Sequence, residues 1–154
     1  MKNDQIDEID RKILRILQQD ARTSMKEIAK KVGKMTKVAI SYRIKRLIRI
    51  GAIQGFYARI NPDLVDQSFL FVTGLSIGPK GAAETAVLTK IAALEGVQSV
   101  FQTFGEYDAL VVGRTRNSVA ARDLIYRMFQ IGGVRDSTSI ISHTVLKQSL
   151  NVTV

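Results

Sequence analysis

Residues 69–146 contain the same succession twice: a strand, a helix closed by glycine, and a strand re-entered on valine. Phe69 to Ile77 is an apolar strand, Gly78-Pro79-Lys80-Gly81 a loop, and about Ala82 to Leu94 a helix. Gly96-Val97 then opens a second strand reaching Phe104. After Gly105-Glu106-Tyr107-Asp108 the cycle restarts with a strand from Ala109 to Thr115 and a helix capped by Asn117 or Ser118. That helix reaches Gln130 and stops at Gly132-Gly133, and a last strand runs from Val134 to Leu146. Right-handed crossovers give such a βαββαβ chain one simple solution, a four-stranded sheet with both helices on one face. Alternation divides Phe69, Phe71, Val100, Phe101, Phe104, Val111 and Ile140 between the helix-covered face and the open one. An apolar open face is expected to be buried by a second copy of the chain, so this half predicts an obligate dimer.

The first fifty residues follow the other periodicity. Ile6, Ile9, Ile13, Leu14, Ile16 and Leu17 recur at spacings of three and four, an amphipathic helix. The acids around its start, Asp4, Asp7, Glu8 and Asp10, read as carboxylates at the positive end of a helix dipole rather than as a metal site. Gln19-Asp20-Ala21-Arg22 breaks the pattern. Ser24 followed by Glu27 is a capping box for a second helix, whose expected buried face is Met25, Ile28, Ala29 and Val32. Gly33 supplies a tight turn, and Thr36 caps a third helix with Ile40, Ile44 and Leu47 inward. It runs to about Ile50, and Gly51 ends it. Helix, glycine turn and helix make a helix-turn-helix unit. Gly33-Lys34-Met35-Thr36 has the look of the end of a phosphate-binding loop. Ile28 stands where the upstream glycine is required and a helix precedes, so that reading fails.

Residues 51–60 read as a strand, and Asn61-Pro62-Asp63 as the turn that ends it. The expected organisation is therefore α+β. A winged-helix-like helix-turn-helix domain spans residues 1–50, a hinge strand and linker residues 51–65, and a ferredoxin-like βαββαβ domain residues 66–154.

Charge separates these halves. Residues 1–60 hold fifteen Lys and Arg against six Asp and Glu, which accounts for the whole net charge of +9; the remainder is neutral. Between Arg22 and Arg49 there are ten basic residues and one acid, Glu27. Such a surface attaches to a polyanion by releasing counterions. The outward positions of the third helix are Lys37, Val38, Ser41, Tyr42, Lys45 and Arg49, with Arg46 at the boundary. Its first two turns, with Thr36, Lys37, Ser41 and Tyr42, are the part of such a helix that reaches base edges. The competing reading is a basic helix on a protein-binding surface.

Other chemistry lacks material. There is no cysteine, and the one histidine, His143, is given no role, so thiol chemistry, thiolate zinc sites and a Ser-His-Asp triad are not expected. No catalytic residues, metal ligands or cofactor are predicted, and the chain is not expected to be an enzyme. Met1-Lys2-Asn3-Asp4 lacks the apolar core of a signal peptide, and no window reaches the roughly 18 apolar residues of a membrane span.

Certain stretches together resemble the Lrp/AsnC (feast-famine) family of prokaryotic transcription regulators. They are Ile6-Asp7-Glu8-Ile9-Asp10-Arg11-Lys12-Ile13-Leu14, Asp20-Ala21-Arg22, Glu27-Ile28-Ala29 and Val32-Gly33. Tyr42-Arg43-Ile44-Lys45-Arg46-Leu47, Gly51-Ala52-Ile53-Gln54-Gly55-Phe56, Gly105-Glu106-Tyr107-Asp108 and Gly132-Gly133-Val134 continue the pattern across nearly the whole chain. The resemblance implies double-stranded DNA as partner, dimers assembling into tetramers or octamers, a cytoplasmic, nucleoid-associated setting, and a free amino acid sensed between dimers. Carried over position by position, the effector loop is Gly105, Tyr107 and Asp108, faced by Ser137, Thr138 and Ser139. Thr36 stands where the family commonly has serine, Ile48 where it often has glutamate, and Ser137 and Ser139 where threonine is frequent. Asp108 suits an α-ammonium, and small hydroxyls and backbone N–H groups suit a carboxylate. Read without the resemblance, the same Gly-Glu-Tyr-Asp is equally a hairpin turn.

The expected function is thus a sequence-specific, amino-acid-responsive transcription regulator. Lys34, Lys37, Lys45, Arg46 and Arg49 would hold phosphates, and Thr36, Ser41 and Tyr42 would meet base edges. Arg43 would either contact DNA or brace the motif against an acid such as Glu27. The alternatives are an effector-independent, DNA-compacting architectural protein and a regulatory subunit of an amino-acid enzyme.

Overall fold

Helices begin where their first amides find acceptors, and this chain supplies a side-chain acceptor at each of its first three starts. Asp7 accepts from the Asp10 amide at 2.8 Å and Asp10 from the Asp7 amide at 3.1 Å, a capping box that opens α1 (Glu8–Gln19). Ser24 and Glu27 form the expected box at α2 (Met25–Val32), and the Thr36 hydroxyl accepts from the Ala39 amide at 3.1 Å at α3 (Lys37–Arg49). Gly33, at φ 114°, makes the turn between the last two helices in a region that L side chains rarely adopt. Ile13, Ile28, Ala29, Val32, Ile40, Ile44 and Leu47 close over one another as the core. Met25, expected inside, is instead more than a third exposed: at the first position of α2 it points away from that core.

A buried charge sets the rotation of α3 against α1. Asp10 is fully buried and accepts from Arg43 Nη1 at 2.9 Å and from Arg46 Nη2, while Asp7 accepts from Arg43 Nη1 at 2.6 Å. An unpaired carboxylate at that depth would be strongly destabilising, so both guanidinium groups are drawn inward. Burial opposes ionisation of Asp7, but the Asp10 amide and Arg43 together outweigh it and hold its pKa below the ordinary 3.8. The Asp7 carboxylate in turn raises the pKa of Arg43. The brace for Arg43 is therefore this acid pair rather than Glu27, which is engaged with Ser24.

The structure, a computed structural model, describes residues 5–33, 35–78 and 80–154. It divides into two compact units, one running to Arg59 and including Gln148–Val154, the other Ile60–Lys147. The placement of the last seven residues differs from a domain continuing to 154, and hydrogen bonds explain it. The Gln18 side chain donates to the Val152 carbonyl at 3.1 Å and accepts from its amide at 2.8 Å; Arg15 Nε donates to the Val154 carbonyl at 2.6 Å. The strand expected over 51–60 is not formed: after Ile53, whose amide donates to Leu47, the segment has no ladder. A strand needs a partner backbone, and among the described residues none pairs with it. Phe56, Tyr57 and Ile60 stand half or more exposed along this segment.

The second unit consists of β1 (Phe69–Ile77), α4 (Ala82–Ala92), β2 (Val97–Gln102), β3 (Ala109–Thr115), α5 (Ser118–Gln130) and β4 (Val134–Ile141). The antiparallel sheet has the order β2-β3-β1-β4. Asn117 is the cap of α5, accepting from the Ala120 amide at 2.9 Å. β2 stops at Gln102 rather than Phe104, and β4 at Ile141 rather than Leu146; the Ser142 amide makes the last bond, to Leu70. Phe71, Leu75, Ile77, Ala109 and Val111 meet Leu88, Ile91, Leu124 and Met128 beneath the helices, with Phe69 and Val100 at the margin. Leu70, Val72, Leu110 and Val112 alternate to the other face. Phe101 and Ile140 lie there 54% and 69% exposed, and Phe104 stands out in the β2–β3 loop.

Replacing Asp10 with alanine removes the buried carboxylate that Arg43 and Arg46 share and is expected to cost the first unit about 3–5 kcal/mol in denaturant unfolding. Asp7→Asn keeps a capping oxygen but loses the charge. Because the folded pKa of Asp7 is depressed, its contribution is present above 3.8 and is lost as pH falls through the lower folded value. The Tm of Asp7→Asn should accordingly depend less on pH in that acid range than the wild type does, measured by circular dichroism.

Candidate nucleic-acid face and effector loop

With Ile40, Ile44 and Leu47 inward, the opposite side of α3 is exposed, and Thr36, Lys37, Val38, Tyr42, Lys45, Ile48 and Arg49 lie on it. Ser41 is half-buried at its edge, and Tyr42 is 63% exposed. Lys37, Lys45 and Arg49 form no ion pair among the described residues. Arg22, Lys26, Lys30 and Lys31 are exposed on α2 and the segment before it, adding cations to the same unit. Arg46, expected toward the nucleic acid, and Arg43, expected either there or as a brace against an acid, are turned inward: their side chains are only 9% and 22% exposed and are held by Asp10, with Asp7 also on Arg43. Lys34 lies outside the described residues.

In the second unit, the residues of the expected effector loop occupy the end of the sheet where β1 leaves and β3 enters. Asp108 Oδ2 accepts from the Ile77 amide at 2.8 Å, and Oδ1 accepts from the Lys80 ammonium. Lys80 foremost, then the Ile77 amide, hold the Asp108 carboxyl below its ordinary range, and the charge of Arg135 adds to the effect. The Tyr107 ring lies on Gly74, where a Cβ would come within 2.6 Å of Cγ; glycine in β1 is what lets the ring sit flat against the sheet. The Thr103 hydroxyl donates to the Tyr107 carbonyl at 2.6 Å, and Gly105, at φ 136°, turns the loop.

Register then separates the three β4 residues. Thr138 pairs with Gly74 and shares the face of Tyr107, whereas Ser137 and Ser139 pair with Leu75 and Thr73 and point to the helix side. There the Ser139 hydroxyl bonds that of Thr73 at 2.7 Å. The structure thus brings Tyr107 and Thr138 to one face and takes Ser137 and Ser139 to the other. Lys80 and Arg135 were not foreseen as members of this cluster. Lys80 falls in a loop the sequence marks plainly, but its partner is fixed only by the β1–β3 pairing. His143 is exposed, with its Nδ1 2.9 Å from the Thr144 hydroxyl. Among the described residues no group of His, Cys, Asp and Glu could hold a metal, and no helix is long and apolar enough to cross a membrane.

Known proteins share both halves. A family profile of the AsnC-type helix-turn-helix domain matches residues 6–48, and one of the Lrp/AsnC ligand binding domain matches residues 73–152. The HTH-type transcriptional regulator Ptr1 of Methanocaldococcus jannaschii is 40% identical over 107 residues, 70% of each chain. The leucine-responsive regulatory protein of Escherichia coli is 33% identical over 147 residues, covering 94% of this chain and 88% of that protein. Among solved structures, the feast or famine regulatory protein of M. tuberculosis complexed with L-methionine superposes with a TM-score of 0.85 at 27% identity, over 97% of this chain and 99% of that one. An AsnC family regulator from Agrobacterium tumefaciens, 23% identical, shares the fold with a TM-score of 0.87 over 95% of both chains. The helix-turn-helix unit with its exposed cationic helix, the split β-α-β sheet and these matches agree: the chain belongs to the Lrp/AsnC family of transcriptional regulators, with a DNA-binding helix-turn-helix domain and a ligand-binding domain.

Proposed function

We propose that the protein is a sequence-specific regulator that reads duplex DNA with α3 and changes its assembly on binding a free amino acid. The observation that carries the DNA half is the face of α3. Lys37, Lys45 and Arg49 are exposed without carboxylate partners among the described residues, around Thr36, Ser41 and Tyr42. In this reading the three cations hold phosphates, and the hydroxyl-bearing residues sample base edges in the major groove. Residues 1–50 are the DNA-binding domain and 51–65 the linker; the sheet domain that follows assembles and senses.

A second copy of the chain covers the open sheet face, where Phe101 and Ile140 are otherwise left in water. Two-fold pairing presents two copies of α3, the geometry that palindromic operators match, and further association gives tetramers or octamers. The effector enters at the loop of Gly105, Tyr107 and Asp108. Its ammonium pairs with Asp108, and its carboxylate meets backbone N–H groups near Gly105 and the Thr138 hydroxyl. The similar M. tuberculosis protein complexed with L-methionine supports this class of ligand. Effector binding couples to DNA only if it favours one assembly over another. The basic excess of residues 1–60 also favours an architectural, sequence-indifferent role. A specific-to-random affinity ratio near one would select that role.

Alanine at Lys37, Lys45 or Arg49 should weaken binding to all duplex sequences alike. Each should also lower the slope of log affinity against log salt by about 0.9, as read by fluorescence anisotropy across a salt series. A thermal-shift screen against the twenty amino acids should find at least one ligand. At a hundred times its dissociation constant the ligand adds roughly 2.7 kcal/mol of stability. Asp108→Ala should abolish the shift; silence across the panel would leave a regulator without an amino-acid effector.

A further inference from the structure

Asp108 has one oxygen fixed and one exchangeable. Oδ2 is held by the Ile77 amide, and the next amide, that of Gly78, is itself tied to the Gly133 carbonyl at 2.7 Å. The carboxylate is thereby oriented, with Oδ2 on the β1 backbone and Oδ1 turned to the cation. That oxygen already carries a cation, the Lys80 ammonium, borne on a side chain 63% exposed and with a flexible stem. Arg135 lies against the same loop, its Nε 2.7 Å from where a Cβ on Gly78 would stand, and its charge also acts on Asp108.

We propose that Lys80 is a built-in occupant of the effector's ammonium position, so that binding is an exchange of one ammonium for another on Asp108 Oδ1. The proposal rests on the reading of Asp108 as the effector's acceptor and adds a specificity element to it. Exchange of like for like gains almost nothing electrostatically. A ligand must therefore bring a second favourable contact, which a carboxylate makes with the N–H groups near Gly105 and the Thr138 hydroxyl and a simple amine does not. Lys80 thereby raises the concentration at which the sensor responds and rejects amines lacking a carboxylate. It acts through Asp108 and is a positioning residue, not a member of the bound-state contact set.

The test is a thermal-shift titration of the full chain, wild type and variants Lys80→Met, Asp108→Ala and the double variant, against each of the twenty amino acids and against ethylamine. Methionine keeps the stem and removes the charge. An exposed ion pair is worth up to about 1 kcal/mol, so Lys80→Met should tighten amino-acid binding by about two- to fivefold and admit ethylamine more readily. Both variants lacking Asp108 should bind neither. Equal or weaker amino-acid binding by Lys80→Met, with binding still abolished by Asp108→Ala, would overturn the exchange and leave the effector site standing. Undiminished binding by Asp108→Ala, or no binding by any of the four proteins, would overturn both.

Discussion

The contact on which the exposed face of α3 depends is the pairing of buried Asp10 with Arg43 and Arg46. A charge sealed in a helical core is tolerated only with its partners in place, so the rotation of α3 about its own axis is not free. Turning the helix to release both guanidinium groups would leave the Asp10 carboxylate alone in the core and bring Ile40, Ile44 and Leu47 out of it. The apolar stripe and the ion network agree on one orientation, and that orientation sends Lys37, Tyr42, Lys45 and Arg49 outward. A helix rich in arginine thus keeps two of its cations for structure and displays the others.

In the second unit the constraint is coverage. Two helices on one side of a four-stranded sheet leave the other side to be closed by something else, and apolar residues of β1, β3, β2 and β4 face that side. The candidate effector loop stands at one end of the same sheet. Tyr107 packs over Gly74, and Asp108 bonds the Ile77 amide, both in β1, the strand that also pairs with β4. A ligand drawing on Asp108 therefore acts on a strand whose face is the proposed assembly surface. That proximity is the physical route by which sensing would alter association.

Much of this is written locally in the chain, and the rest depends on partners distant in sequence. The capping pairs at Ser24–Glu27 and Thr36, the turn at Gly33, and the limits of β1 and β3 follow from short-range rules of spacing and capping. Arg43 and Arg46 could not be separated from Lys45 and Arg49 that way. Periodicity gives their angle on α3, but the carboxylate that turns them inward sits on α1. Residues 51–60 have strand-forming composition, yet a ladder requires a second backbone, and none of the described residues supplies one. Ser137, Thr138 and Ser139 are consecutive hydroxyl residues whose faces depend on their register with β1. The Lys80–Asp108 pair, 28 positions apart, likewise exists only because β1 and β3 lie side by side.

The central claim, that α3 reads base sequence, is tested most directly by selecting a preferred duplex from a random pool with the wild-type protein. Its affinity is then compared with that for random DNA in a variant carrying Ser41→Ala and Tyr42→Ala. The account predicts a ratio well above one for the wild type that falls toward one in the variant, with binding to random DNA nearly retained. A wild-type ratio near one, or equal loss by the variant on both DNAs, would contradict it.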